Sequence, residues 1–262
     1  MEGYLRTLIR SRLTRPRGHV ADRPYAKAIE LSLLGLSGYG ASFPKSRRYT
    51  MLEFGVAGGT TFEKMLNYRD IFARRLRLRT PIGCLGFDTF EGLPEAREED
   101  VANVWSPGDF AATVEQVEQR LRPYDDFELI PGLFADTLPG YEDRLRTEPP
   151  LFVSIDCDYY SSTVDAFDAV IPLAPSGCFF YFDDAQAHYW SDRAGELQAV
   201  REVNEGRYGG HLQLCEYPLW IETGEIRHYR CLYRLLDLTR HADGIDISAG
   251  VLLRKEPSLH AH

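Results

Sequence analysis

Short apolar runs recur along the chain from Tyr49 onward, each followed by a longer stretch whose apolar residues fall at helical spacing. This alternation marks βαβ units built around a largely parallel sheet. The runs predict strands at Tyr49 to Phe54, Ile82 to Phe87, Phe127 to Pro131, Leu151 to Ile155 and Cys178 to Phe182. The amphipathic stretches predict helices at Thr60 to Arg79, Thr113 to Leu121 and Ser162 to Leu173, then one around Glu196 to Glu205. Two further strands are expected near Leu212 to Tyr217 and Tyr229 to Leu236, with a turn at Glu222-Thr223-Gly224-Glu225 between them. Residues 1 to 46 read as a two-helix arm or lid outside the sheet, and residues 47 to 262 as one α/β domain.

Composition narrows the function classes. No apolar run reaches the roughly 18 residues that a membrane span needs, and the N-terminus lacks the apolar core of a secretory signal. The five cysteines lie far apart and form no C-x-x-C pair, which reads as buried thiols in a reducing, cytoplasmic setting. A net charge of −9, from 30 basic and 39 acidic residues, opposes nucleic-acid binding. The first eighteen residues run against this balance, with Arg6, Arg10, Arg12, Arg15 and Arg17 beside Leu5, Leu8, Ile9 and Leu13 at helical spacing. Composition favours a packed terminal arm with a solvated basic face over a membrane-surface or phosphate-binding helix.

Acids gather where the central strands end. Leu151 to Ile155 delivers Asp156 and then Asp158, while Cys178 to Phe182 delivers Asp183 and Asp184. One such aspartate alone would be a helix cap. Two neighbouring strands doing this together point to a cation held beyond the carboxyl edge of the sheet, where open α/β folds bind ligands. The first strand ends in Glu53-Phe54-Gly55-Val56-Ala57-Gly58-Gly59-Thr60-Thr61, a glycine turn running straight into a helix. Thr60 with Glu63 is expected to form a capping box. Ala57 stands where a dinucleotide fingerprint needs its second glycine, and Glu53 suits a cation better than a pyrophosphate. Asp88, closing the second strand, sits where an acid can accept both hydroxyl hydrogens of a ribose.

These residues resemble the macrocin O-methyltransferase family. The likeness is carried, in order, by Glu53-x-Gly55-Val56-x-x-Gly58, by Asp88-Thr89-Phe90-Glu91-Gly92-Leu93-Pro94, by Gly132 to Pro139, by Asp156-x-Asp158-x-Tyr160-x-Ser162-Thr163 and by Asp183-Asp184. The resemblance implies a Rossmann-like class I methyltransferase fold: a mostly parallel seven-stranded sheet, helices on both faces and a terminal antiparallel hairpin. It implies transfer of a methyl group from S-adenosyl-L-methionine to a hydroxyl of a sugar or sugar-bearing natural product. Glu53, Gly55 and Gly58 would then surround the methionine part of the cofactor, with Phe54 and Thr60 in the same loop. Asp88 and Thr89 would serve the ribose, and Gly132 to Phe134 would lie near adenine. Asp156, Asp183 and Asp184 would bind magnesium, with manganese a substitute for an oxygen-only ligand set. Asp156 is also expected near the sulfonium.

Proton removal from the acceptor asks for a base. His188, four residues beyond Asp184, is the first candidate because an unperturbed imidazole titrates near neutrality; Asp158 is the alternative. The expected partner is a glycosylated or polyhydroxylated small molecule, with no nucleic acid or membrane span, and the chain is expected to form a homodimer. Rival readings are a metal-independent N- or carboxyl-methyltransferase, a nicotinamide-dependent reductase disfavoured by Glu53 and Ala57, and a non-enzymatic scaffold using the basic arm.

Overall fold

A computed structural model describes residues 22–37, 43, 46–101, 105–217 and 231–239. The expected basic helix in the first eighteen residues and the turn at residues 222–225 lie outside the described residues. The elements are α1 (Asp22–Leu34), β1 (Tyr49–Phe54), α2 (Thr60–Arg75), β2 (Ile82–Asp88), α3 (Val114–Leu121) and β3 (Phe127–Pro131). Then come α4 (Phe134–Thr137), α5 (Glu142–Thr147), β4 (Pro150–Ile155), α6 (Tyr160–Val170), β5 (Phe179–Phe182), α7 (Gly195–Asn204), β6 (Leu212–Glu216) and β7 (Leu232–Asp237).

The strands form one seven-stranded sheet in the order β3-β2-β1-β4-β5-β7-β6. The first five strands are mutually parallel, while β7 runs antiparallel to both β5 and β6. Both faces are covered, so the inner strands read as continuous apolar runs. On β5, Phe179 and Tyr181 join the core cluster beneath α1, α2 and α3, while Phe180 and Phe182 join the cluster beneath α4 to α7. Strand order reverses between β1 and β4, and a crevice at the carboxyl ends of these two strands follows from the topology.

Helix α1 packs directly on the sheet. Ala28, Ile29 and Leu33 are fully buried in the same cluster as β1, β4 and α2, and Tyr25 meets Phe152 and Tyr181 edge-on at 5.6 and 5.0 Å. The Tyr25 hydroxyl donates to Glu53 Oε2 at 3.0 Å, and the other Glu53 oxygen is buried without a hydrogen-bond partner. Burial lifts the Glu53 carboxyl well above its ordinary range, the Tyr25 bond opposes that lift, and Asp183 and Asp88 add to it. Tyr25→Phe should therefore lower stability by about 1–3 kcal/mol, since it strips the donor from a buried acid. Chemical denaturation measures this; an unchanged midpoint would remove the bond from the account.

Two helix boundaries differ from expectation for local reasons. Helix α2 begins after Gly59, whose φ of 77° makes the cap, and Thr60 makes no side-chain capping bond, so the expected Thr60–Glu63 box does not form. A capping box is present instead at Thr113 and Gln116, at the start of α3. Helix α2 also stops at Arg75 rather than Arg79. Arg77 takes the left-handed conformation, and the bonds Arg77 N to Arg74 O and Leu78 N to Ala73 O close a Schellman turn without a glycine.

Candidate active site

The parallel strands end together and leave a cavity of about 630 Å³ beyond β1, β2, β4 and β5. Its floor is set by how the strand tips lock. Asp156 N donates to Phe54 O at 2.9 Å, Asp183 N to Ile155 O at 3.0 Å and Gly55 N to Phe87 O at 2.9 Å. Gly55 has a φ of 89°, and a Cβ there would collide with the carbonyl oxygen of Asp156. The glycine is required because two strand tips meet with no room for a side chain.

Asp88 ties the glycine loop to β2. Its Oδ2 accepts from the backbone N–H groups of Val56 and Ala57 at 2.7 and 2.8 Å, and its Oδ1 accepts from Phe90 N at 2.6 Å. A carboxylate has about four acceptor sites, so Asp88 keeps one for the cavity it lines. Ala57, held this way at a φ of 43°, fills the position where a second glycine was missing from the motif.

At the opposite wall, carboxylate oxygens of Asp156, Asp183 and Asp184 lie within 4.8 Å of one another. Asp183 is exposed and the other two are half-buried. Asp184 accepts from Asp158 N at 3.2 Å, and its own N–H donates to Glu196 Oε2 at 3.2 Å. Burial first, and then the negative charge of Asp183, Asp184, Glu53 and Asp158, pushes the Asp156 carboxyl well up. Asp158, Asp184 and Glu196 are shifted in the same direction, with burial again the leading cause. Carboxylates crowded like this need protons or a cation between them. Three convergent oxygens are the donor set that a hard divalent ion takes.

The third wall is the connection from β2 to α3. Leu93 N donates to Asp109 O and Gly108 N to Leu93 O, both at 2.9 Å, pinning its two limbs together. Asp100 accepts from Ser161 N and Ser161 Oγ at 2.8 and 2.7 Å, and Arg97 forks onto Asp165 at 3.1 and 2.5 Å, fixing the loop to α6. Trp105 and Phe110 meet edge-on at 5.3 Å and line the cavity.

The family model for macrocin O-methyltransferase (TylF) matches residues 50–205. The chain belongs to this family. A sugar methyltransferase of Streptomyces olivaceus, 8-demethyl-8-(2,3-dimethoxy-alpha-L-rhamnosyl)-tetracenomycin-C 4'-O-methyltransferase, is 33% identical over 132 residues. That match spans 47% of this chain and 46% of the relative, about half of each. Among solved structures, the calicheamicin methyltransferase CalS11 superposes with a TM-score of 0.60 at 18% identity, covering 89% of this chain and 91% of that one. The O-methyltransferase NovP superposes with a TM-score of 0.51 at 18% identity, covering 80% and 79%. The macrocin O-methyltransferase family member described here therefore has the class I methyltransferase fold, its largely parallel sheet closed by an antiparallel terminal hairpin.

Within this family member, the cavity gathers Gly55, Asp88, Thr89, Phe134, Asp156, Asp183 and Asp184 from the residues singled out in the sequence. Thr89 spends its hydroxyl locally, donating to Gly92 O and accepting from Glu91 N. Others fall elsewhere. Phe54 is a core residue, stacked on Phe87 at 5.1 Å and edge-on to Phe134 at 5.2 Å. Glu53 is fully buried beneath the loop, and Gly58, Thr60 and Gly132 are not among the lining residues. His188 is not a lining residue either; its imidazole packs on Gly195, where an added Cβ would strike the ring. Asp158, the alternative base, does line the cavity, at a φ of 62°. Sequence reasoning missed Arg97, Trp105, Asp109, Phe110 and Asp165. The length of the β2–α3 connection was the available signal, since long structureless loops in compact domains are commonly functional.

Proposed function

We propose that this protein is an S-adenosylmethionine-dependent O-methyltransferase, assisted by magnesium, that methylates a hydroxyl of a sugar carried by a natural product. The observation that carries the reading is the convergence of Asp156, Asp183 and Asp184 on one side of the cavity that Gly55 and Asp88 line on the other. The family membership and the relative acting on a rhamnosyl tetracenomycin support it.

When bound, the cofactor supplies a sulfonium methyl, and a divalent ion at the three aspartates lowers the pKa of the acceptor hydroxyl and orients it. The residues of the chain do the rest. Asp88 offers its remaining acceptor site to the ribose, and Leu133 and Phe134 give the purine an apolar bed. Asp158, one short turn from Asp156, receives the acceptor proton, replacing His188 in that role. Glu196 holds the Asp184 backbone, so that the paired aspartates keep their aim. Trp105 and Phe110 shield the acceptor side from water.

Calorimetric titration with S-adenosylmethionine, with and without magnesium, tests the reading. Binding without need of the metal, together with methylation that requires it, is expected; no binding under either condition would contradict it. Asp88→Ala should weaken cofactor binding by about 1–3 kcal/mol, the scale for losing a bond to a charged acceptor. The same titration checks this, and unchanged affinity would remove Asp88 from the ribose site.

A further inference from the structure

Helix α6 begins without a cap of its own. Tyr159 stands at its N-cap and makes no side-chain bond there, where Ser, Thr, Asp or Asn would place an oxygen against the first turn. That oxygen comes instead from 61 residues earlier in the chain. Asp100 Oδ1 accepts from Ser161 N at 2.8 Å, and Asp100 Oδ2 accepts from Ser161 Oγ at 2.7 Å. A carboxylate in this place also meets the positive end of the helix dipole. A tight turn fixes its aim: Asp100 N donates to Arg97 O at 3.0 Å, and Arg97 N donates back to Asp100 Oδ2 at 2.8 Å. The ion pair of Arg97 with Asp165 ties the same segment to α6 one turn further on. With the Arg97 side chain 49% exposed, that pair is open to screening and counts for less. Ser161, by contrast, is buried, so Asp100 makes the stronger tie.

Immediately before α6 stands Asp158, the base of the proposed mechanism. Tyr159 N donates to Cys157 O at 2.6 Å and closes a three-residue turn, with Asp158 at its centre at a φ of 62°. A γ-turn with a positive central φ is rare and strained, and such a conformation persists only where its surroundings over-determine it. Three anchors do so here. On the strand side, Asp156 N is bonded to Phe54 O. At the centre, Asp158 N is bonded to Asp184. On the far side the turn runs straight into the first turn of α6, which Asp100 holds at Ser161. Removing the Asp100 carboxylate would strip a buried N–H of its acceptor and release the third anchor, leaving Asp158 free to relax toward an ordinary φ.

Resting on the reading given under Proposed function, we propose that Asp100 is a positioning residue, which caps α6 from the β2–α3 connection and so holds Asp158 in the strained turn that presents it to the cavity. Asp100 is not itself among the lining residues; it acts through Ser161 and the helix. The same connection carries Trp105 and Phe110 into the cavity wall. One carboxylate therefore ties the aromatic wall and the base to a common frame.

The test compares wild type, Asp100→Ala, Asp100→Asn and Arg97→Gln as full chains, with S-adenosylmethionine, magnesium and phenyl α-L-rhamnoside as the acceptor probe. Asp100→Ala is expected to lower kcat by about 10-fold, with the KM for S-adenosylmethionine within about twofold of wild type. Asparagine caps helices as well as aspartate does, so Asp100→Asn should keep kcat within about threefold. Arg97→Gln should cost no more than a few-fold, as an exposed pair would. Hydrogen exchange read by mass spectrometry should quicken in Asp100→Ala over residues 158–163 and stay unchanged over β2. An unaltered kcat in Asp100→Ala, an equal fall in Asp100→Asn, or unchanged exchange over residues 158–163 would each overturn the proposal. Wild-type protein that methylates no sugar would sink the O-methyltransferase reading, and the positioning role with it, even if the exchange result stood.

Discussion

Asp183→Asn and Asp184→Asn are each expected to lower methyl transfer by about 100-fold or more while S-adenosylmethionine binding survives. The asymmetry follows from position. The paired aspartates lie at the end of β5 and converge with Asp156, whereas Asp88 and the glycine loop lie across the cavity at the ends of β1 and β2. On the proposed mechanism, removing one negative oxygen would weaken the hold of these residues on a cation, and the cofactor wall would be untouched. Asp156→Asn is expected to affect both steps, because Asp156 stands between the two walls and its backbone is bonded to the tip of β1. Retained activity in Asp183→Asn and Asp184→Asn alike would leave the acids as structural caps and favour a metal-free methyltransferase.

The second large effect is expected at Asp158. Asp158→Asn should reduce kcat by about 10²- to 10⁴-fold, the range for loss of a positioned base, with cofactor and magnesium binding both retained. The backbone bond from Asp158 N to Asp184 remains in the variant, so a fall in kcat without loss of metal affinity separates a chemical role from a structural one. His188→Ala, by contrast, should change kcat only a few-fold, because the imidazole lies on Gly195 outside the cavity lining. A collapse of kcat in His188→Ala with Asp158→Asn left active would reverse the two assignments.

The strands were legible because the inner ones are buried on both faces and so appear as unbroken apolar runs. Asp88, Asp156, Asp183 and Asp184 were legible for a related reason. A charge at the end of a buried run has only the carboxyl edge of the sheet to occupy, and strand order then brings the tips of β1, β2, β4 and β5 together. What escaped depends on backbone angles that side-chain identity does not announce. Thr60 looked like a cap, yet Gly59 took that place by adopting a left-handed φ, and Arg77 stopped α2 where no glycine signalled an end.

The direction of His188 is set by its turn. Tyr189 and Trp190, both at positive φ, follow it in the segment that leads to Gly195, whose bare Cα receives the ring. Adjacency to the glycine loop does not bring Glu53 and Phe54 into the cavity lining. Standing beside the glycine loop in sequence, they sit on a strand whose side chains alternate between the two buried faces, so Phe54 joins the Phe87 stack and Glu53 meets Tyr25. The aromatic wall at Trp105 and Phe110 belongs to a connection without periodicity, and its placement rests on long-range ties such as Arg97 to Asp165.

In the proposed function, a cation held by Asp156, Asp183 and Asp184 activates the acceptor oxygen. Its most direct measurement is the methylation rate of chelator-treated wild-type protein, with S-adenosylmethionine saturating, as magnesium is titrated back. A rate near background in chelator is expected, rising saturably to the original value with magnesium, and with manganese in its place. Full methylation in the presence of excess chelator would contradict it.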